Sequence, residues 1–355
     1  MTRALMVTGA AGFIGANFVY HWARQYPGAT LVAYDALTYA GNRASLAPLE
    51  DQGQLVFVQG DICDGKKVSE TLARHDIDTI VHFAAESHVD RSISGPDAFI
   101  RTNLVGTHTL LAAARERWLQ GSGRPHRFHH VSTDEVYGSL SPSAPAFTET
   151  LRYEPNSPYS ASKAGSDHLV RAYHHTYGLD VTTSNCSNNY GPFHFPEKLI
   201  PLCLTNILDG RPLPVYGDGS NIRDWLYVED HARGIERVIE AGAAGETYNI
   251  GGNNEWANLA IVELLCDHLD RRFADQPELA GRYPGSPAGS GESRSLITFV
   301  EDRAGHDWRY AIDASKVESA LGFTPAETFE TGIAKTIDWY LANESWWRPL
   351  LPGRD

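Results

Sequence analysis

The sequence predicts an α/β fold, a doubly wound parallel sheet with a smaller C-terminal α/β lobe, and three observations predict it. Short β-branched runs alternate with longer helical patterns through the first half of the chain, the mark of strand–helix–strand units that lay parallel strands side by side. Runs such as Ile80, Val81, His82, Phe83, Ala84 and Ala85 are apolar almost throughout, which suits strands covered on both faces. After about Asn188 the rhythm gives way to Pro- and aromatic-rich sequence, first Tyr190 to Pro196 and later Pro212, Pro214, Tyr216 and Gly217. That change reads as entry into a second unit.

In chain order, strands are expected at 5–8, 31–35, 56–61, 79–85, 128–133 and 181–188. Residues 1–188 are expected to form the larger domain, with a later segment of about 222–255 returning to it, and 189–355 mainly the smaller lobe. The stretch 276–293, rich in Pro, Gly and Ser, reads as a surface loop or insertion. No internal repeat is visible.

Length and composition bound the function. A chain of 355 residues with 42% apolar and 21% charged side chains has the make-up of a water-soluble globular protein with room for two units. It contains no run of about 18 apolar residues, and Met1 leads directly into a strand-like stretch without a basic leader, so a cytoplasmic location is expected. The four cysteines, Cys63, Cys186, Cys203 and Cys266, are far apart and form no CxxC pair; they read as small buried apolar groups, with no metal site. A net charge of −14 argues against nucleic acid or an anionic membrane as partner, both of which need a basic face. A phosphorylated small molecule stays open, provided a few local cations hold it.

The string Thr8-Gly9-Ala10-Ala11-Gly12-Phe13-Ile14-Gly15 follows the first strand and opens an amphipathic helix, as a dinucleotide-binding turn of the Rossmann type requires. Gly9 allows the tight turn, Gly12 lets the backbone approach a pyrophosphate, and Gly15 lets helix and strand pack closely. The spacing is GxxGxxG rather than the more general GxGxxG. Asp35, about twenty residues on, supplies the carboxylate that accepts from ribose hydroxyls and would repel a 2′-phosphate, so NAD is expected over NADP. Asp61 and Ile62 border the adenine, unless Asp61 is only a strand-end cap. Ala84 and Ala85, ending the fourth run, are assigned to the same cofactor site.

Tyr159 and Lys163 lie four residues apart on a helix announced by Ser157-Pro158, and so share one face. An ammonium beside a phenol is expected to lower the phenol's pKa and make Tyr159 a usable base. Thr133, Asp134 and Glu135 end the fifth strand. Two adjacent carboxylates at the mouth of a buried strand are costly unless one is protonated, and an acid beside a base can remove water.

The GxxGxxG turn together with Tyr159-x-x-x-Lys163 resembles the extended short-chain dehydrogenase/reductase family, in which Thr133 matches the third member of the catalytic triad. The Thr133-Asp134-Glu135 string is similar to that of the nucleotide-sugar 4,6-dehydratases within it. The likeness extends through 85–92, 187–192, 196–201, 221–230 and 302–307. It implies that Ser87, Thr133, Asn188, Lys198, Leu199, Pro214, Tyr216, Arg223, Asn258, Asp302, Arg303 and His306 contact a nucleotide sugar, and that Thr102 and Asn189 lie against NAD. Lys198, Arg223 and Arg303 are the cations a diphosphate would need. His88, His130 and His306 are given structural or substrate-contact roles, since Tyr159 and Glu135 already supply bases. The resemblance further implies a homodimer joined through helices near 96–118 and 158–177. Two rivals share the fold: a nucleotide-sugar 4-epimerase, which has no use for the Asp134–Glu135 pair, and a non-catalytic NAD-binding protein, for which an intact Thr133, Tyr159 and Lys163 would serve nothing.

Overall fold

The computed structural model describes residues 4–302 and 306–351. Its strands, in chain order, are β1 (Leu5–Thr8), β2 (Leu31–Asp35), β3 (Val56–Gln59), β4 (Thr79–His82), β5 (Arg127–Thr133), β6 (Val181–Cys186), β7 (Asn188–Tyr190), β8 (Leu213–Tyr216), β9 (Ile222–Tyr227), β10 (Thr247–Ile250), β11 (Glu255–Ala257) and β12 (Ile297–Val300). Seven of them form one sheet in the order β10-β6-β5-β4-β1-β2-β3, and every pairing in it is parallel. The expected strands 56–61, 79–85 and 181–188 all stop short of those bounds, because the chain turns away at their carboxyl ends to line a cleft.

Alternation along β1 shows why a continuous apolar run is needed. Leu5 and Val7 join a core with Phe18, Trp22, Ile235 and Val238 on one face, while Met6 joins Tyr34, Ile80, Leu110, Trp118 and Val170 on the other. Successive side chains of a strand point to opposite faces, so both faces being covered makes every position apolar. From β1 the chain winds outward to β3, then crosses to β4 on the other side. The reversal opens a crevice at the carboxyl ends of the strands, beside β1.

The segment 222–255 divides between two sheets. The helix Val228–Ala241 buries Ile235, Val238 and Ile239 in the core shared with the first helix, and β10 adds to β6 with Thr247 opposite Thr183. β9 instead pairs with β7 and β11 in a three-stranded sheet, and β8 pairs with β12. These two small sheets and the helices Leu199–Asp209, Asn258–Asp275 and Phe329–Ala342 enclose a second core that includes Leu204, Val262, Leu265, Phe329 and Tyr340. The stretch 276–293, expected as a surface loop, is a wall of this core. Its short helix Glu278–Arg282 and the turn after it bury Leu279, Tyr283 and Ala288, three apolar side chains that outweigh the surrounding Pro, Gly and Ser. None of the described helices is long and apolar enough to cross a membrane.

Packing of the first helix on β1 depends on glycine. A Cβ at Gly15 would lie 2.1 Å from the carbonyl oxygen of Gly9, which itself sits at φ +68°. Gly15→Ala should therefore lower the stability read from urea unfolding by about 1–3 kcal/mol, the usual cost of overpacking. An unchanged midpoint would mean that the turn relaxes without cost.

Candidate active site

A cleft of about 570 Å³ runs from the Gly9–Gly15 turn along the carboxyl ends of the large sheet to the small lobe. The turn is shaped for a dinucleotide. At Gly9 a Cβ would strike the backbone of Ala84 at 2.6 Å, so only glycine allows that approach. The helix Phe13–Gln25 starts there with no side-chain cap and no acidic residue in its first turn, leaving its positive end to an anion. Phe13 and Ile14 line the cleft beside it. Asp35 ends β2 with Oδ2 accepting from Ala11 N at 2.9 Å and Oδ1 from Leu37 N at 2.7 Å. Burial raises its pKa while these two N–H groups lower it. These groups fit NAD: an N-terminal helix dipole for the pyrophosphate and a carboxylate for the ribose hydroxyls.

Ile62, Ala84, Ala85, Thr102 and Asn189 line the same cleft. Asp61 does so too while capping its own turn, accepting from Cys63 N at 2.8 Å and facing Arg101 at 3.4 Å. Asn189 is oriented by His231, whose Nδ1 lies 2.9 Å from Asn189 Oδ1.

Tyr159 and Lys163 enter on the helix Pro158–Tyr177, which begins with a reciprocal cap between Ser157 and Ser160 and Pro158 in its first turn. Lys163 is buried and donates from Nζ to the carbonyl of Val131 on β5 at 2.9 Å. Burial holds its pKa below the ordinary value, with the charge of Asp167 opposing. The phenol of Tyr159 is held well above its usual value, first by burial and then by the charge of Glu135, while Thr133 pulls it down. The expectation that Lys163 sets the phenol's pKa is corrected accordingly: burial dominates, and the ammonium is committed to β5.

Thr133, at the end of β5, accepts from Glu135 N at 3.3 Å and lies 3.4 Å from Asp134 Oδ1. Asp134 is wholly buried just behind the cleft wall, and Oδ2 has no hydrogen-bond partner among the described residues. Burial, and then the charges of Glu135 and Asp224, hold its pKa well above the carboxylate range against the pull of Arg223. Glu135 is only half-buried and lines the cleft. One carboxyl group is kept as an acid, and its neighbour faces the space where a substrate fits.

At the far end, Ser87, Asn188, Leu199, Pro214, Tyr216 and Asn258 line the wall. Lys198 donates to the Ser87 carbonyl at 3.2 Å. The Arg223 guanidinium lies 4.3 Å from the ring centre of Tyr310 and donates to the carbonyls of Ile222 and Asp307 at 2.7 and 3.0 Å. His306 also lines the cleft; Asp302 is not on its wall but lies against His306 Nδ1 at 2.7 Å. Arg303 lies outside the described residues.

Sequence reasoning missed Tyr310, Glu197 and Asp167. Tyr310 and Glu197 line the cleft, and no spacing relates either to Tyr159 or Lys163. Asp167 was detectable, since 159, 163 and 167 continue one helix face. Its carboxylate accepts from Ser132 Oγ at 2.8 Å and lies 3.0 Å from His130 Nε2, and burial pushes its pKa up to about 6. His130 is held well below its usual pKa by burial, so it is neutral and structural.

The parallel sheet, the dinucleotide turn and the Thr133–Tyr159–Lys163 group together define a short-chain dehydrogenase/reductase of the extended type. The chain belongs to the family of nucleotide-sugar dehydratases whose model, described as GDP-mannose 4,6 dehydratase, matches residues 6–336. It is 54% identical over 354 residues to a dTDP-glucose 4,6-dehydratase of Neisseria meningitidis serogroup B, covering 99% of this chain and 97% of that one. A dTDP-glucose 4,6-dehydratase of Xanthomonas campestris pv. campestris is 56% identical over 351 residues, covering 98% and 96%. Among solved structures, a double mutant of the dTDP-glucose 4,6-dehydratase of Streptomyces venezuelae, with NAD bound, superposes with a TM-score of 0.86 at 47% identity, covering 98% of this chain and 99% of that one.

Tyr159→Phe and Lys163→Met should each reduce turnover by about 10²–10⁴-fold, the range ascribed to a positioned general base, with the circular dichroism spectrum retained. Turnover near the wild-type rate in either variant would remove the substituted residue from the reaction.

Proposed function

We propose that the protein is a dTDP-glucose 4,6-dehydratase that converts dTDP-glucose to dTDP-4-keto-6-deoxyglucose and water. The observation that carries this is the contrast between Asp134 and Glu135, neighbours in sequence held in opposite environments beside Tyr159. NAD, held by Gly9, Gly12, Gly15 and Asp35, supplies the acceptor for the hydride of C4 and afterwards the donor of a hydride to C6.

The chain's own groups then have separate tasks. Tyr159, which lines the cleft with Thr133, takes the proton of the 4-hydroxyl as C4 becomes a ketone. That ketone acidifies the proton on C5, which Glu135 removes from the cleft side. Asp134, kept protonated by burial, gives its proton to the departing 6-hydroxyl, and water leaves. A proton returned to C5 completes the 6-deoxy sugar. Lys198 and Arg223 are the cations assigned to the diphosphate. On this view residues 1–188, with the helix Val228–Ala241 and β10, hold the cofactor, and 189–355 mainly hold the nucleotide sugar. A 4-epimerase would need neither an acid for a leaving hydroxyl nor a base for C5.

A panel of dTDP-, UDP-, GDP- and CDP-glucose, assayed for a keto sugar, tests the assignment: the dTDP sugar should be turned over fastest by far. A clear preference for another base would reassign the substrate, and epimer without keto sugar would overturn the dehydratase. The paired variant Asp134→Asn with Glu135→Gln should still oxidise C4 but fail to eliminate, so enzyme-bound NADH should accumulate and be seen by its absorbance. Absence of NADH in a folded variant would contradict the division of labour.

We further place the protein in the cytoplasm as a homodimer. Ile100, Val105 and Leu119 on the helical segment 97–122, with Tyr177 ending the helix Pro158–Tyr177, are large apolar side chains left 47, 49, 37 and 43% exposed, which suits a face that a second copy covers. Val105→Asp should shift sedimentation from dimer to monomer; wild-type protein sedimenting as a monomer would contradict the assembly.

A further inference from the structure

The connection between β7 and the helix Leu199–Asp209 makes more contacts than a connection requires. After Tyr190 it runs Gly191-Pro192-Phe193-His194-Phe195-Pro196-Glu197, and it lies along the first turns of the helix Phe13–Gln25, the helix that opens at the dinucleotide turn. Asn17 donates from Nδ2 to the Pro192 carbonyl at 2.8 Å. The imidazole of His194 stacks on Phe13 with ring centres 4.0 Å apart, and Phe193 stacks on Tyr20 at 5.6 Å. Phe193 holds φ at +63°, a left-handed conformation that an L-residue adopts only under constraint. The small lobe keeps it there, with Trp339 and Trp346 packed edge-on at 4.9 and 5.6 Å.

The other end of the segment grips both rims of the cleft. Tyr39, in the loop after β2 that follows Asp35, donates to Glu197 Oε1 at 3.1 Å and packs against Phe195. Arg91, after β4, lies 3.6 Å from the ring centre of Tyr39 and 3.5 Å from Glu197 Oε2. His88 approaches the same oxygen at 3.8 Å. Strands β2 and β4 flank β1, so one carboxylate ties together the loops on either side of the phosphate-binding turn. Phe195, Glu197 and His88 line the cofactor cleft, yet no catalytic step uses them.

We propose that residues 192–197 are a retaining strap over NAD, anchored at Phe193 and clasped by Glu197 on Tyr39 and Arg91. This rests on the function proposed above, in which the cofactor leaves each cycle in the form in which it entered. An enzyme of that kind gains nothing from exchanging its dinucleotide and forfeits the turnover if the dinucleotide leaves while reduced. The two rims can part only when the clasp opens. Arg91 is half exposed, so its ion pair is weak; the Tyr39–Glu197 hydrogen bond and the guanidinium over the Tyr39 ring carry the clasp.

The test is the rate at which bound NAD leaves the full-length holoenzyme, followed by fluorescence during exchange against excess 1,N6-etheno-NAD. Glu197→Gln and, separately, Tyr39→Phe, which removes a single hydroxyl, should release NAD at least tenfold faster than wild type, with melting temperatures of the NAD-free proteins unchanged. During turnover both variants should also lose NADH to a scavenging dehydrogenase in solution, which the wild type should not. Equal release rates in wild type and both variants would overturn the strap and leave the dehydratase assignment standing. Wild-type protein that neither carries nor takes up NAD would overturn both.

Discussion

The site depends on one buried contact, the Lys163 ammonium donating to the Val131 carbonyl at 2.9 Å. It pins the helix Pro158–Tyr177 to β5 at the place where the strand is about to end, and both halves of the chemistry follow from it. One turn before Lys163 the helix presents Tyr159; two residues after Val131 the strand presents Thr133. Burying an ammonium is unfavourable without compensation. Here the carbonyl and the carboxylate of Asp167 provide it, and Asp167 is in turn bound to Ser132 and His130 of the same strand. Residues 159, 163 and 167 thus form a stripe whose last two members fix the position of the first.

Given that pin, burial sets the two neighbouring carboxyl groups apart. The turn after β5 sends Asp134 behind the wall and Glu135 into the cleft, so residues of the same chemical type meet opposite environments, and burial holds the pKa of Asp134 well above the carboxylate range. Burial also holds the phenol of Tyr159 well above its usual pKa, so the base role proposed for it calls on the positive charge of Lys163 on the same helix face. The fold contributes the crevice beside β1, where the reversal of strand order brings the dinucleotide turn, β5 and the small lobe to one cavity.

Much of this is legible in the chain, and the exceptions have physical causes. Gly9, Gly12 and Gly15 announce the turn because local sterics permit no other residue at Gly9 and Gly15, and the Tyr159–Lys163 and Asp134–Glu135 pairs are short-range patterns. The protonation balance at Tyr159 is not legible because it depends on burial, which spacing does not reveal. The place of β9 in the smaller sheet and the folded wall at 276–293 depend on partners far away in sequence, such as Trp225 beside Asn188. The segment 192–197 reads as a boundary by composition, while its contacts with Phe13, Tyr20, Tyr39 and Arg91 arise only when the lobes meet.

The central claim is that one bound dinucleotide takes a hydride from C4 and returns it to C6 of the same sugar while Glu135 and Asp134 remove water between the two transfers. The most direct measurement uses dTDP-glucose bearing deuterium at C4, mixed with undeuterated substrate bearing carbon-13, with the products resolved by mass and NMR. The account predicts deuterium at C6 of molecules that began with it at C4, with little crossover to the carbon-13 pool. Deuterium remaining at C4, passing to solvent, or appearing in both pools equally would contradict it.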